Sequence, residues 1–273
     1  MFGSILESVK EKAPLIHCIT NYVTVNDCAN LLLACGASPI MADEPEEAEE
    51  ITAICGGLTL NLGTLNRHTI PAMLAAGRRA NRMGRPVVLD PVGAGASRLR
   101  TETALRLLDE VRFSVIRGNA SEIKTLASGS GTTRGVDADV ADRVTEQTLD
   151  RTVAFAKALS ARTGAVIAVT GAIDVVADAH RAFCVYNGHP MMSAVTGTGC
   201  QLSVMTAAYA AANQERVLEA AAAAVCAMGV CGERAFDRLT ERDGNASYRN
   251  YIIDAVYRLT PEELDRWASY EVR

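Results

Sequence analysis

The segment Val195-Thr196-Gly197-Thr198-Gly199-Cys200 runs into an apolar helical stretch, Gln201–Ala212. Glycines at 197 and 199 allow close approach of backbone to a ligand and dihedrals that other residues avoid. The helix that follows offers unpaired N–H groups and the positive end of its dipole. Gly197, Gly199 and that first turn therefore read as an anion hole suited to a phosphate. Cys200 would lie beside a phosphoryl group in transfer. A Gly-Thr-Gly turn opening a helix is also a common packing device, and both readings stand on this segment alone.

Three further groups follow apolar runs. Asp90-Pro91-Val92-Gly93-Ala94-Gly95 places a carboxylate where a parallel strand ends, the edge at which α/β sheets bind ligands. Asp90 there either holds magnesium through water or caps a strand-to-loop turn. Arg117-Gly118-Asn119-Ala120-Ser121-Glu122 directly follows the run Phe113–Ile116. Asn119 and Glu122, three apart, form a variant of the capping box. Their functional reading sets both beside hydrated magnesium at a nucleotide, with Arg117 on its phosphates. Magnesium keeps several waters and takes few protein carboxylates, so Asp90 and Glu122 suffice. Thr170, in Val169-Thr170-Gly171, either donates to a phosphate oxygen or is a strand-end threonine before a turn.

Positioning these residues at one place requires a parallel sheet. Strands are expected at Leu15–Ile19, Ser38–Ala42, Leu58–Leu62, Pro86–Asp90, Phe113–Ile116 and Ala165–Val169. Several of these runs are continuously apolar, as in strands covered on both faces. Helical runs Val25–Cys35, Glu46–Cys55, about 66–83 and Thr148–Arg162 alternate with them. The alternation predicts an α/β fold with a mostly parallel sheet between helical layers. Asp174–Ala177 and Arg181–Tyr186 read as a hairpin on one sheet edge. Ser128–Asp142, rich in Gly, Ser, Thr and Asp, reads as a mobile loop. Beyond Gly199 the chain reads as helical. No linker or repeat divides residues 1–273, so a single domain is expected.

Composition narrows the function. Hydrophobic residues make up 49% of the 273, enough for a substantial core, and the net charge is -5. No basic block exists, which argues against nucleic acid as partner. No stretch reaches the roughly 18 apolar residues of a membrane span. The first residues lack the pattern of a secretory signal, so a cytoplasmic location is expected. The eight cysteines show no zinc-type spacing and read as reduced core residues. His17 reads as a structural histidine.

The order of these motifs resembles the ribokinase-like superfamily. More closely, Ile19-Thr20-Asn21-Tyr22-Val23, Pro39-Ile40-Met41-Ala42, Leu60-Asn61-Leu62-Gly63-Thr64-Leu65 and Thr196-Gly197-Thr198-Gly199-Cys200 resemble hydroxyethylthiazole kinases. The resemblance covers essentially the whole chain. It implies a three-layer α/β/α sandwich and ATP-dependent phosphorylation of 5-(2-hydroxyethyl)-4-methylthiazole for thiamine salvage. It implies Asn21, Met41, Gly63 and Gly197 around the thiazole, Arg117 and Thr170 at ATP, and Asp90 and Glu122 at magnesium and the phosphates. It also implies a homotrimer with active sites between subunits. The broader superfamily places an aspartate base where Cys200 stands; the thiazole kinases share the cysteine. A thiol of pKa ~8.5 is mostly protonated at neutral pH, although a helix N-terminus lowers that value. The competing readings are an ATP-dependent dehydratase of hydrated nicotinamide nucleotides, a pyrimidine or sugar kinase, a non-catalytic nucleotide-binding regulator, and acyl transfer through Cys200.

Overall fold

The computed structural model describes residues 1–129 and 144–273 of the chain. The chain begins with helix α1 (Phe2–Lys12), then β1 (Leu15–Ile19), α2 (Val25–Ala34), β2 (Ser38–Ile40), α3 (Ala48–Ile54) and β3 (Gly57–Asn61). Next come α4 (Thr69–Arg82), β4 (Val87–Asp90), α5 (Arg98–Glu110), β5 (Val115–Asn119) and α6 (Ala120–Gly129). Beyond residue 143 follow α7 (Leu149–Thr163), β6 (Val166–Thr170), β7 (Asp174–Ala177) and β8 (Ala182–Val185). A 3-10 turn at Pro190–Ala194 leads to α8 (Thr198–Ala212), α9 (Val217–Asp237), α10 (Asn245–Arg258), α11 (Pro261–Trp267) and β9 (Tyr270–Val272).

Among the described residues the strands form one sheet in the order β2-β1-β3-β4-β5-β6-β7-β8-β9. Strands β2 through β6 in that order pair in parallel, and β7, β8 and β9 are added antiparallel. Successive strand residues point to opposite faces, and the two faces bury different helices. Val88, Val115 and Ala168 pack with Leu6, Cys28, Met205, Ala224, Ile252 and Leu264, which come from α1, α2 and α8 to α11. Val87, Leu89, Ile116 and Ile167 pack with Ala48, Met73, Leu107, Ile123 and Phe155, which come from α3 to α7. Three layers result, and burial of both sheet faces explains the unbroken apolar runs.

Helix α8 is the element that matters most for the site. Of its 15 residues, 12 are buried, on all sides of the helix, as expected of a helix inside a core. It lies on β3 and β4 and against α2 and α9. Its first turn is thereby carried to the carboxyl ends of the central strands.

Two expectations shift. The hairpin is one strand in from the edge, because β9 pairs with β8 and covers it. Phe2, Phe183 and Tyr270 form a ring cluster that pins β9 and α1 there, with centroids 4.7–5.6 Å apart. Strand β5 starts two residues later than expected and includes Arg117, Gly118 and Asn119. The loop expected across Ser128–Asp142 lies outside the described residues except at Ser128 and Gly129, which finish α6.

Candidate active site

The carboxyl ends of the parallel strands stand in register. Asn61 of β3 pairs with Asp90 of β4, and Asn119 of β5 with Thr170 of β6. Arg117, one residue beyond the Leu89–Ile116 pair, comes beside Asp90. Asp90, Arg117, Asn119 and Thr170 thus share one edge because each ends, or nearly ends, a parallel strand.

Asp90 is fully buried. Its Oδ2 accepts from Asn61 Nδ2 at 2.8 Å and Ser203 Oγ at 2.7 Å, and Arg117 Nη1 stands 3.5 Å away. Its Oδ1 is buried without a hydrogen-bond partner. Burial pushes the carboxyl above its usual range and the charge of Glu122 adds to that; Arg117 and the bonds from Ser203 and Asn61 oppose it.

Arg117 Nη2 donates to Thr170 Oγ1 at 2.9 Å, and Thr170 Oγ1 donates to the carbonyl of Gly118 at 3.3 Å. The guanidinium lies against Gly199, where a Cβ would meet Nη1 at 2.8 Å. A cation and the amino end of α8 therefore face one point. The helix is entered through Gly197, whose φ of +89° and 2.4 Å approach of a virtual Cβ to Thr24 Cγ2 exclude a side chain.

Cys200 is buried at this first turn. Its Sγ receives Asn21 Nδ2 at 3.1 Å and Asn61 Nδ2 at 3.3 Å. Burial raises its pKa and the charge of Asp90 raises it further, against hydrogen bonds from Thr24, Asn21 and Asn61. The lowering expected from the helix end does not prevail, because the thiol is shut away from water beside a carboxylate. The chain's eight cysteines are all free and buried, in keeping with reduced core residues.

Asn21 Nδ2 also donates to Asn61 Oδ1 at 2.9 Å, and Gly63 packs so closely on Asn21 that a Cβ would fall 2.9 Å from it. Arg100 Nη2 donates to the Gly63 carbonyl at 2.7 Å and spans the loops after β3 and β4. Met41 stands apart at the end of edge strand β2, half-buried against the core around α8. His17 is structural: Nε2 meets the Ala42 carbonyl at 2.7 Å and Nδ1 meets Thr52 Oγ1 at 2.9 Å. Burial lowers its pKa, so the ring is neutral and donates from Nε2 to the Ala42 carbonyl.

Asn119 and Glu122 form the capping box: Glu122 N donates to Asn119 Oδ1 and Asn119 N to Glu122 Oε2, each at 2.9 Å. The other oxygen of Glu122 accepts from Gly93 N. Among the described residues no group of three or more His, Cys, Asp or Glu is placed to hold a metal. Asn61, Ser203 and Arg100 join the site without having been singled out. Asn61 lay inside the expected strand Leu58–Leu62; the structure ends β3 at Asn61 instead, in register with Asp90. Asp174 also belongs to this edge: it accepts from Gly171 N at 2.8 Å, and burial pushes its carboxyl up to about 6 against that bond and Arg117.

This arrangement has relatives. A hydroxyethylthiazole kinase of Clostridium acetobutylicum is 64% identical over 266 residues, covering 97% of each chain. The solved structure of a hydroxyethylthiazole kinase from Pyrococcus horikoshii superposes with a TM-score of 0.88 at 34% identity, covering 100% of this chain and 98% of that one. A ribokinase-like protein from Enterococcus faecalis, 13% identical, shares the fold with a TM-score of 0.62, over 97% of this chain and 95% of its own. The hydroxyethylthiazole kinase family profile matches residues 6–262. With the strand-end residues, the glycine-opened helix and Cys200 in place across that span, the chain belongs to the hydroxyethylthiazole kinase family.

Proposed function

We propose that this chain transfers the γ-phosphoryl group of ATP to the primary hydroxyl of 5-(2-hydroxyethyl)-4-methylthiazole, serving thiamine biosynthesis and salvage. The observation that carries the reading is the meeting of Arg117, held by Thr170, with the amino end of α8 at Gly199. A guanidinium and a helix N-terminus converging on one point suit the charge of a phosphoryl group in flight.

In this reading the alcohol oxygen bonds to the γ-phosphorus while the bond to the β,γ-bridging oxygen breaks and ADP leaves. The transition state is loose, so positioning and charge stabilisation do most of the work. Gly197 and Gly199 shape the anion hole. Arg117 and Thr170 hold ATP phosphates, and Asn119 lies on the nucleotide side. Asn21, Gly63 and Gly197 face the thiazole, with Met41 as an adaptable apolar wall. Cys200, ionised in only a minor fraction of molecules, is a modest acceptor of the hydroxyl proton.

Asp90 and Glu122 fit a hydrated magnesium ion. Asp90 Oδ1 is an orphaned buried oxygen, and the charge of Glu122 adds to the cost of ionising Asp90, which a divalent cation relieves. Magnesium supplies charge neutralisation to the phosphates.

Residues 1–273 act as one cytoplasmic catalytic domain; no helix among the described residues is long and apolar enough to cross a membrane. The working form is a homotrimer with the thiazole held between subunits. Tyr22 and Val23, 76% and 60% exposed beside Asn21, and Met41 at an edge strand are consistent with a site completed by a second chain. The dehydratase reading is less favoured, because that reading expects Asp at position 200. The test is ADP release with ATP and magnesium on the thiazole alcohol, hydroxymethylpyrimidine and ribose. The thiazole alcohol should give the highest kcat/KM, and a much higher value on either rival overturns the proposal.

A further inference from the structure

Both asparagine side chains at Cys200 have their orientation fixed by the main chain. Asn61 Oδ1 accepts the backbone N–H of Gly63 at 2.9 Å. Asn21 Oδ1 accepts the backbone N–H of Thr24 at 3.2 Å, with Thr24 Oγ1 adding a second donor at 3.1 Å. A backbone N–H only donates, so each side-chain oxygen must point to it and each amino group must point the other way.

The four amino hydrogens are then fully assigned. Asn61 spends one on Asp90 Oδ2 at 2.8 Å and one on Cys200 Sγ at 3.3 Å. Asn21 spends one on Asn61 Oδ1 at 2.9 Å and one on Cys200 Sγ at 3.1 Å. The sulfur meets two amide donors and no amide acceptor. Asp90 anchors the far end, held in turn by Ser203 of α8 itself. The chain Asp90–Asn61–Asn21 thus closes on the same helix turn that carries Cys200.

We propose that Asn61 is a positioning residue for Cys200: relayed from Asp90, its amide and that of Asn21 form a two-donor clamp that holds the sulfur as a hydrogen-bond acceptor facing the incoming hydroxyl. The clamp rests on the phosphoryl-transfer reading above. It gives Asn61 a part in turnover although Asn61 need not touch the substrate. Two N–H donors favour a negatively charged atom at position 200, so the clamp receives a thiolate or a carboxylate equally well.

The test is a double-mutant cycle of Asn61→Ala and Cys200→Ala, with kcat and KM for the alcohol measured at saturating ATP and magnesium. Asn61→Ala should lower kcat about tenfold in the Cys200 protein while KM changes less than about threefold. In the Cys200→Ala background the same substitution should cost less than about twofold, since the sulfur it positions is gone. An equal kcat loss in both backgrounds, or an effect confined to KM, overturns the clamp. Asn61→Ser, which keeps a small polar group beside Asp90, is carried through the same cycle, and thermal melts exclude misfolded variants. Wild-type turnover on the alcohol panel is measured first. Preference for another alcohol overturns the substrate reading, while the cycle run on that alcohol still decides the clamp.

Discussion

Glu122 ties the start of α6 to the loop after β4, its Oε1 accepting the backbone N–H of Gly93 at 2.9 Å. Its second oxygen accepts from Asn119, so one carboxylate fixes two loops at the site edge. Glu122→Gln keeps the shape but turns one acceptor into a donor, and a donor cannot meet a backbone N–H. One of the two bonds must be lost, at about 1–3 kcal/mol, which lowers Tm by a few degrees. Turnover should fall more, by at least about tenfold throughout a magnesium titration. An unchanged kcat across that titration would leave Glu122 with a capping role alone.

Cys200→Ala should lower kcat by no more than about 10²-fold, the low end for loss of a general base. The reason is structural: burial and Asp90 keep the thiol protonated. Cys200→Asp should stay active, because Asn21 and Asn61 already present two N–H donors to whatever atom sits there. Its cost is a second negative charge near Asp90, offset by the helix dipole and Arg117. A folded Cys200→Asp protein without detectable turnover contradicts the assignment of this position as a proton acceptor. A covalent adduct trapped on Cys200 during turnover would favour the nucleophile reading instead.

The site was legible in unequal parts. Asp90 and Thr170 could be placed because apolar runs end where they stand, and a parallel sheet sends such ends to one edge; the glycine turn could be placed because an apolar helical run begins there. Asn61 lies inside its expected run, and its role depends on side-chain orientations set by Gly63 N and Thr24 N, which no spacing reveals. Helix α1 was readable in principle, since its buried Phe2, Ile5, Leu6 and Val9 follow helical spacing. Strand β9 was not: three residues at the chain's end carry no period, and their pairing with β8 is settled by contacts about 87 residues away in sequence. The capping reading of Asn119 and Glu122 holds in the structure, and the second Glu122 oxygen accepts from Gly93 N; their place beside magnesium is a proposal.

Asp174 gives a pH-dependent stability that can be checked. Its folded pKa of about 6 lies above the ordinary 3.8, so ionisation favours the unfolded chain. The stability conferred by the protonated form is complete below about 3.8 and is lost as pH rises through about 6. Asp174→Asn keeps an acceptor for Gly171 N–H and removes the ionisation. Allowing for solvent screening at this partly exposed position, its gain at pH 7 is on the order of 1 kcal/mol, or about 2–4 °C in Tm. Melting curves should show the variant and wild type converging near pH 4 and parting toward pH 7. A constant difference across that range contradicts the upward shift of the Asp174 carboxyl.

The trimer expectation is tested by light scattering at assay concentration, which should give three times the 29.0 kDa chain mass. A fully active monomer would mean that one chain completes the thiazole pocket unaided.

In the proposed function the strand-end groups and the amino end of α8 form one phosphoryl-transfer site for a thiazole alcohol. The most direct measurement is 31P NMR of a reaction containing the protein, ATP, magnesium and 5-(2-hydroxyethyl)-4-methylthiazole, run beside Arg117→Gln. The wild type should form a thiazole phosphate monoester mole for mole with ADP, and the folded variant should lose at least about 10²-fold in that rate. ADP formed without the monoester, or an Arg117→Gln protein with wild-type rate, would contradict the proposed function.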